Sequence, residues 1–394
     1  MKGLSRRVAI TGLGVVAPCG LGKANFWQGL LGPGLVDAGR SAEIDDWDPS
    51  PYYSSPKESR RADVSEQFAI AAATEAVEQA GEIGADPARI ATIFATGVGG
   101  IHTLEEQIAI RLEKGDRRVS PFLVPMMMAN APGAAVSMRF GLRGPNETIV
   151  TACAAGTHAL VYAARLIAWG QADAAVTGGT EHAGTLTSLA GFGNMTALSN
   201  TGTSRPFDTD RDGFVMGEGA AAFVLEEWES ATARGATILG EVLGGGSNAD
   251  AHHITAPAPG GTGAIACMHL ALEDAGLSVG DIRQINAHGT STPLNDAAEA
   301  AAVSAVFGDR SVPVVSTKGV TGHALGAAGA LEAAAVLLSF EHEQIPPTAN
   351  TKVLSDEMTI DLVMDEPRAW EPGPTLSNNF GFGGHNGSII IAPA

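Results

Sequence analysis

Apolar residues in this chain fall into short, nearly continuous runs broken by glycine and separated by longer stretches with helical spacing. Val8–Thr11 is rich in β-branched residues and leads into a turn at Gly12 and Gly14, which reads as a buried strand feeding a glycine turn. Ile90–Ala95, Glu147–Val150, Ala172–Gly178 and Ala221–Leu225 read as further strands, and Ser65–Gly81 and Ala154–Trp169 as helices. Ala221–Leu225 has no polar face, as expected of a strand covered on both sides. The second half repeats the arrangement, with strands at Ile282–Ala287, Val312–Ser316 and Ser388–Ala392 and an Ala-rich helix at Ala327–Phe340. The alternation predicts an α/β fold of layered sheets and helices, built from two halves at 1–240 and 241–394. Pro49–Asp63 reads as surface structure, and no low-complexity linker separates the halves.

Four segments carry candidate chemistry. In Glu147-Thr-Ile-Val-Thr-Ala-Cys153-Ala-Ala-Gly-Thr-His158 a β-branched strand runs into a cysteine at a predicted helix start. The positive end of a helix dipole stabilises a thiolate there. A buried structural cysteine fits that segment equally well. Asn286-Ala-His288-Gly-Thr290-Ser-Thr292-Pro293 places a histidine at the end of an apolar strand, where α/β folds set active groups. Ser316-Thr-Lys318-Gly-Val-Thr-Gly-His323 is glycine-rich and is followed by Glu332. Either histidine alone is more often structural. Ser377-Asn-Asn-Phe-Gly-Phe382-Gly-Gly-His-Asn386 reads as a glycine-lined loop or as a simple turn before the last strand. Asp296 and Glu299 read as groups that orient the site or as exposed charges at a helix start.

Composition narrows the class. Cysteine occurs only at Cys19, Cys153 and Cys267, a count and spacing that argue against a disulfide framework and against a metal site, and that suit a cytoplasmic protein. The formal net charge of −19 argues against general binding to nucleic acid or anionic membrane. No apolar run reaches the roughly 20 residues of a membrane span, and Met1–Arg7 shows no signal-peptide pattern before the first strand.

Together the four segments resemble the beta-ketoacyl–acyl-carrier-protein synthases, in particular the elongating type with a Cys–His–His site. Gly178-Gly-Thr-Glu181, Arg205-Pro-Phe-Asp208 and Asp212-Gly-Phe-Val-Met-Gly-Glu-Gly219 extend the resemblance over essentially the whole chain. It implies the thiolase fold, two duplicated halves in five layers, α-β-α-β-α. It also implies decarboxylative Claisen condensation of an acyl group on Cys153 with a malonyl thioester. The N-terminal half would carry the nucleophile and the C-terminal half both histidines.

By the same resemblance, the backbone N–H groups of Cys153 and Phe382 form the oxyanion hole, and Phe382 gates access. His288 and His323 stabilise the enolate. Lys318 pairs with Glu332 and acts either directly or electrostatically. Asp296 and Glu299 orient the site, and Thr290 and Thr292 hold the phosphopantetheine arm. No cofactor is bound by the enzyme itself. The partner is an acyl-carrier protein, docked on Lys57, Arg60 and Arg61 and on Arg117 and Arg118, which read equally as solvated surface charges. The assembly implied is a homodimer, or a heterodimer with a chain-length subunit. A non-catalytic chain-length subunit is the rival reading, and an intact Cys153 with both histidines argues against it.

Overall fold

The computed structural model describes residues 6–394. Its first half runs β1 (Val8–Ala17), α1 (Val64–Ala80), β2 (Ile90–Ala95), α2 (Ile101–Lys114), α3 (Ala131–Phe140), β3 (Asn146–Ile149), α4 (Ala155–Ala168), β4 (Ala174–Glu181), α5 (Leu186–Asn194) and β5 (Gly219–Glu227). The second runs β6 (Gly240–Ala249), α6 (Thr262–Ala275), β7 (Gln284–Asn286), α7 (Pro293–Phe307), β8 (Pro313–Val315), α8 (Ala328–His342), β9 (Thr375–Gly381) and β10 (His385–Ala392). With α2, α5, the helix Gly22–Leu30 and the shorter helical turns set aside as insertions, the two orders are the same.

Strand pairing shows the same duplication. The main strands lie in the order β8-β7-β9-β10-β6-β1-β5-β4-β2-β3. Working outward from the centre, β1–β5 and β5–β4 are antiparallel, and β4–β2 and β2–β3 are parallel. On the other side β6–β10 and β10–β9 are antiparallel, and β9–β7 and β7–β8 are parallel. The two halves of the sheet meet where Val8, Ala9 and Ile10 of β1 pair with Val242, Glu241 and Gly240 of β6.

Strand parity sorts the core into layers. Ala221, Phe223 and Leu225 of β5 face inward with α4 and α8, and so do Ile389 and Ile391 of β10. Ala220, Ala222 and Val224 face outward onto α1 and α3. Ile285, Leu376 and Ile390 face outward onto α6 and α7. The order is therefore helix, sheet, helix, sheet, helix. A central helix between two sheets has no solvent face, and every residue of α8 from Ala328 to Phe340 is buried. The two central helices cross in backbone contact at Gly156 and Gly329. A Cβ on Gly329 would lie 2.6 Å from Asn379 Oδ1 and from Thr157 N.

Three readings change. Gly12 and Gly14, read as a turn, lie inside β1, where the backbone of α1 comes too close for a side chain: an added Cβ would run into the carbonyl oxygens of Ala76 and Ala72. Ser377–Gly381, read as part of a glycine loop, belongs to β9, and only Phe382–Gly384 turns before β10. Its polar side chains are buried in pairs rather than solvated, so glycine content alone misplaced it. In Pro49–Asp63, Ser59, Ala62 and Asp63 are buried, because Asp63 caps α1 and accepts hydrogen bonds from Thr103. Among the described residues no helix is long and apolar enough to cross a membrane.

Candidate active site

Cys153 sits in a single turn, Ala152–Ala154, between β3 and α4. Ala152 takes φ +50, a left-handed conformation that bends the chain sharply. Leu325, at φ +42, makes the same bend before α8 in the second half. The thiol is buried at 6% exposure. Burial pushes it up to about 11, outweighing the backbone N–H groups of Phe382 and Cys153 and the charge of Lys318, which pull it down. The helix start therefore does not yield a resting thiolate, as the sequence suggested. Desolvation wins, and the resting group is a neutral thiol.

His323 Nε2 lies 3.0 Å from Cys153 Sγ. The His288 and His323 rings are 5.2 Å apart at 83°. One ligand atom from each of the three residues lies within 4.8 Å of the others, a donor set that could also hold a soft metal ion. Burial, reinforced by the positive charge of Lys318, drives both imidazoles well below their usual range, so both are neutral. His323 Nδ1 is buried without a hydrogen-bond partner among the described residues.

The loop carrying His288 is gripped from α7. Glu299 accepts from the backbone N–H of His288 at 2.8 Å and of Gly289 at 2.7 Å. Asp296 accepts from the N–H groups of Phe207, Thr290 and Ser291. Both carboxyls are buried, so the reading as exposed helix-start charges does not hold. Burial pushes Glu299 up to about 8 against those two N–H groups. Thr290 Oγ1 and Thr292 Oγ1 are 2.8 Å apart at the rim of this loop.

Lys318 is buried and forms an ion pair with Glu332, and its Nζ also donates to the His288 carbonyl at 2.5 Å. Burial pushes the Glu332 carboxyl up, while Lys318 and Asn379 hold it down. Asn379 and Thr157 were not singled out in the sequence, although each lies inside a quoted motif. The signal was strand parity: Ser377 and Asn379 face opposite to Leu376, hence toward the central helices. Glu181 is a third such residue. It is buried and accepts from Gly97 N at 2.6 Å and Gly326 N at 3.0 Å, tying β2 to the turn before α8.

An apolar cluster packs around Cys153, made of Ala183, Leu198, Phe214, Met216 and Leu325 with Ile101, Leu189 and Phe192 at its edge. Phe382 is half-buried with its ring 6.4 Å from that of Phe192, and Phe214 stands edge-on to His323 at 5.2 Å. Lys57, Arg60, Arg61, Arg117 and Arg118 are exposed, and among the described residues none forms an ion pair. Arg61 stacks over Phe122, 4.4 Å from the ring centroid.

The beta-ketoacyl synthase N-terminal domain matches residues 33–231, and the C-terminal domain matches 239–352. The chain belongs to the beta-ketoacyl synthase family. It is 43% identical over 409 residues to a 3-oxoacyl-[acyl-carrier-protein] synthase 2 of Synechocystis sp., covering 98% of each chain. It is 42% identical over 408 residues to the protein of that name from Coxiella burnetii, again covering 98% of each. Among solved structures, the ishigamide ketosynthase/chain length factor superposes with a TM-score of 0.91 at 33% identity, over 99% of this chain and 100% of that one. A beta-ketoacyl synthase from Burkholderia phymatum superposes with a TM-score of 0.90 at 32% identity, over the same shares. This beta-ketoacyl synthase thus has the thiolase fold of its structural neighbours and is a condensing enzyme of the transferase class.

Proposed function

We propose that the chain condenses an acyl group held on Cys153 with malonyl-acyl-carrier protein, giving beta-ketoacyl-acyl-carrier protein and carbon dioxide. The observation that carries this is the buried Cys153–His288–His323 cluster beside an apolar cluster of side chains, in a chain of this family. Sγ attacks the incoming thioester, and its proton leaves with the carrier's thiol. The backbone N–H groups of Cys153 and Phe382 hold the carbonyl oxygen as it gains charge. The acyl chain lies along Phe192, Leu198 and Phe214.

The malonyl thioester then enters beside Thr290 and Thr292, which receive its phosphopantetheine arm, and Phe382 moves aside. Breaking the bond to the carboxylate releases carbon dioxide and leaves an enolate. Its oxygen is stabilised by His288 and His323, and its carbon attacks the acyl carbonyl. The C–S bond breaks, and the thiolate of Cys153 takes up a proton from solvent. No bound cofactor takes part. The carrier docks on the rim formed by Lys57, Arg60, Arg61, Arg117 and Arg118, and the enzyme acts as a homodimer. Pairing with a chain-length subunit is the second reading, favoured by the heterodimeric ketosynthase/chain length factor neighbours.

Mass spectrometry of carrier-bound products, made from malonyl-carrier and a panel of acyl-carriers, tests the proposal. The expected product is longer than the acyl donor by two carbons and bears a 3-keto group. Release of carbon dioxide with no elongated product for any donor would sink it.

A further inference from the structure

Asn379 is a buried amide at which three parts of the site converge. Its Oδ1 accepts from Thr157 Oγ1 of α4 at 2.5 Å. Its Nδ2 donates to Glu332 Oε2 of α8 at 2.8 Å and faces His288 Nδ1 at 3.2 Å. An amide has two N–H donors and one acceptor oxygen, so its orientation dictates what each neighbour must be. Turned end for end, Oδ1 would face the Glu332 carboxylate, acceptor against acceptor. The Lys318 ammonium lies against that carboxylate and favours its ionised form. The Lys318–Glu332 pair therefore locks the amide with its N–H groups toward Glu332 and His288.

A neutral imidazole carries one hydrogen, and the partner of one ring nitrogen decides which nitrogen holds it. An amide N–H aimed at Nδ1 requires a lone pair there, so the hydrogen belongs on Nε2. The Phe380 carbonyl, which also lies beside the ring, is the competing partner and would take a ring N–H. We propose that Asn379, oriented by the Lys318–Glu332 pair, fixes His288 as its Nε2–H tautomer and so makes it a donor to the enolate oxygen rather than an acceptor. The consequence for the reaction rests on the condensation reading above; the tautomer does not. Asn379, Lys318 and Glu332 are then positioning residues, and Lys318 acts through two hydrogen bonds without touching substrate.

The test is 15N NMR of the full-length chain with labelled histidine, with the His288 signals assigned by their loss in His288→Gln. The expected resting state has hydrogen on Nε2 and a bare Nδ1. Asn379→Leu removes the donor and should shift His288 toward the Nδ1–H form. A mis-set histidine tautomer costs about 10⁴-fold in a serine protease, so decarboxylation of malonyl-carrier should fall on the order of 100-fold for a partial shift. Acylation of Cys153 should fall far less. A wild-type His288 with hydrogen on Nδ1 overturns the proposal, whether or not the variant folds. So does a variant that decarboxylates at the wild-type rate. A wild-type chain that shows Nε2–H but decarboxylates no malonyl thioester upholds the tautomer and refutes the condensation reading.

Discussion

At Cys153 burial and hydrogen bonding pull against each other, and burial wins. With the thiol at about 11, the thiolate fraction is small at neutral pH and rises tenfold per pH unit. Alkylation by limiting iodoacetamide should therefore quicken about tenfold per unit between about pH 7 and 9. A pH-independent rate across that window would mean a resting thiolate. Peptide mapping should find Cys153 labelled ahead of the more exposed Cys19 and of Cys267, because its thiol has a histidine nitrogen at 3.0 Å to take its proton. The histidines separate the half-reactions. His288→Ala and His323→Ala should each lose malonyl decarboxylation by about 100-fold or more, the scale of one lost oxyanion donor. Cys153→Gln should lose condensation and keep decarboxylation. Unchanged decarboxylation in both histidine variants refutes their role.

At the scale of elements, the site depends on two helices that cross closely because Gly156 and Gly329 carry no side chain. Gly329 of α8 faces Thr157 of α4 and Asn379 of β9 at distances that leave no room for a methyl group. Gly329→Ala should lower stability by about 1–3 kcal/mol, the usual cost of overpacking a filled core. Gly191→Ala is the control, because α5 exposes that position and nothing lies within 4 Å of the added carbon. Better helix propensity should make it neutral or stabilising by up to about 1 kcal/mol. Urea unfolding of both variants checks the pair, and equal midpoints would show that the crossing tolerates a methyl group.

For the whole molecule, charge sets a problem that a local patch must solve. The chain carries −19, so an acidic carrier is repelled on average. Arg117 and Arg118 are exposed and free of ion pairs among the described residues, whereas nearby Arg111 and Lys114 face Asp116 and Glu113 at 3.7 and 3.6 Å. Arg61 stacks on Phe122, just beyond the turn that carries Arg117 and Arg118. Lys57–Arg61 and Arg117–Arg118 can therefore act as one rim. Arg117→Glu combined with Arg118→Glu should raise KM for the acyl-carrier and flatten its salt dependence. Turnover of a small acyl-thioester mimic should change little. Carrier kinetics that ignore the reversal at low ionic strength would place docking elsewhere.

Nearly continuous apolar runs, the helically spaced stretches between them and the glycine breaks predicted an α/β chain built from two similar halves. Those signals are local, and they report which faces a segment buries. The motifs around Cys153, His288 and His323 marked the chemistry because each lies within a few residues of a strand end. What the linear pattern could not carry was contact across the chain. Asn379 meets His288 91 positions away and Thr157 222 positions away, and only the stacking of β9 against two central helices brings them together. The same packing decided the state of the thiol. A helix start argues for a thiolate in water, whereas the layers above and below Cys153 remove the water that would stabilise it.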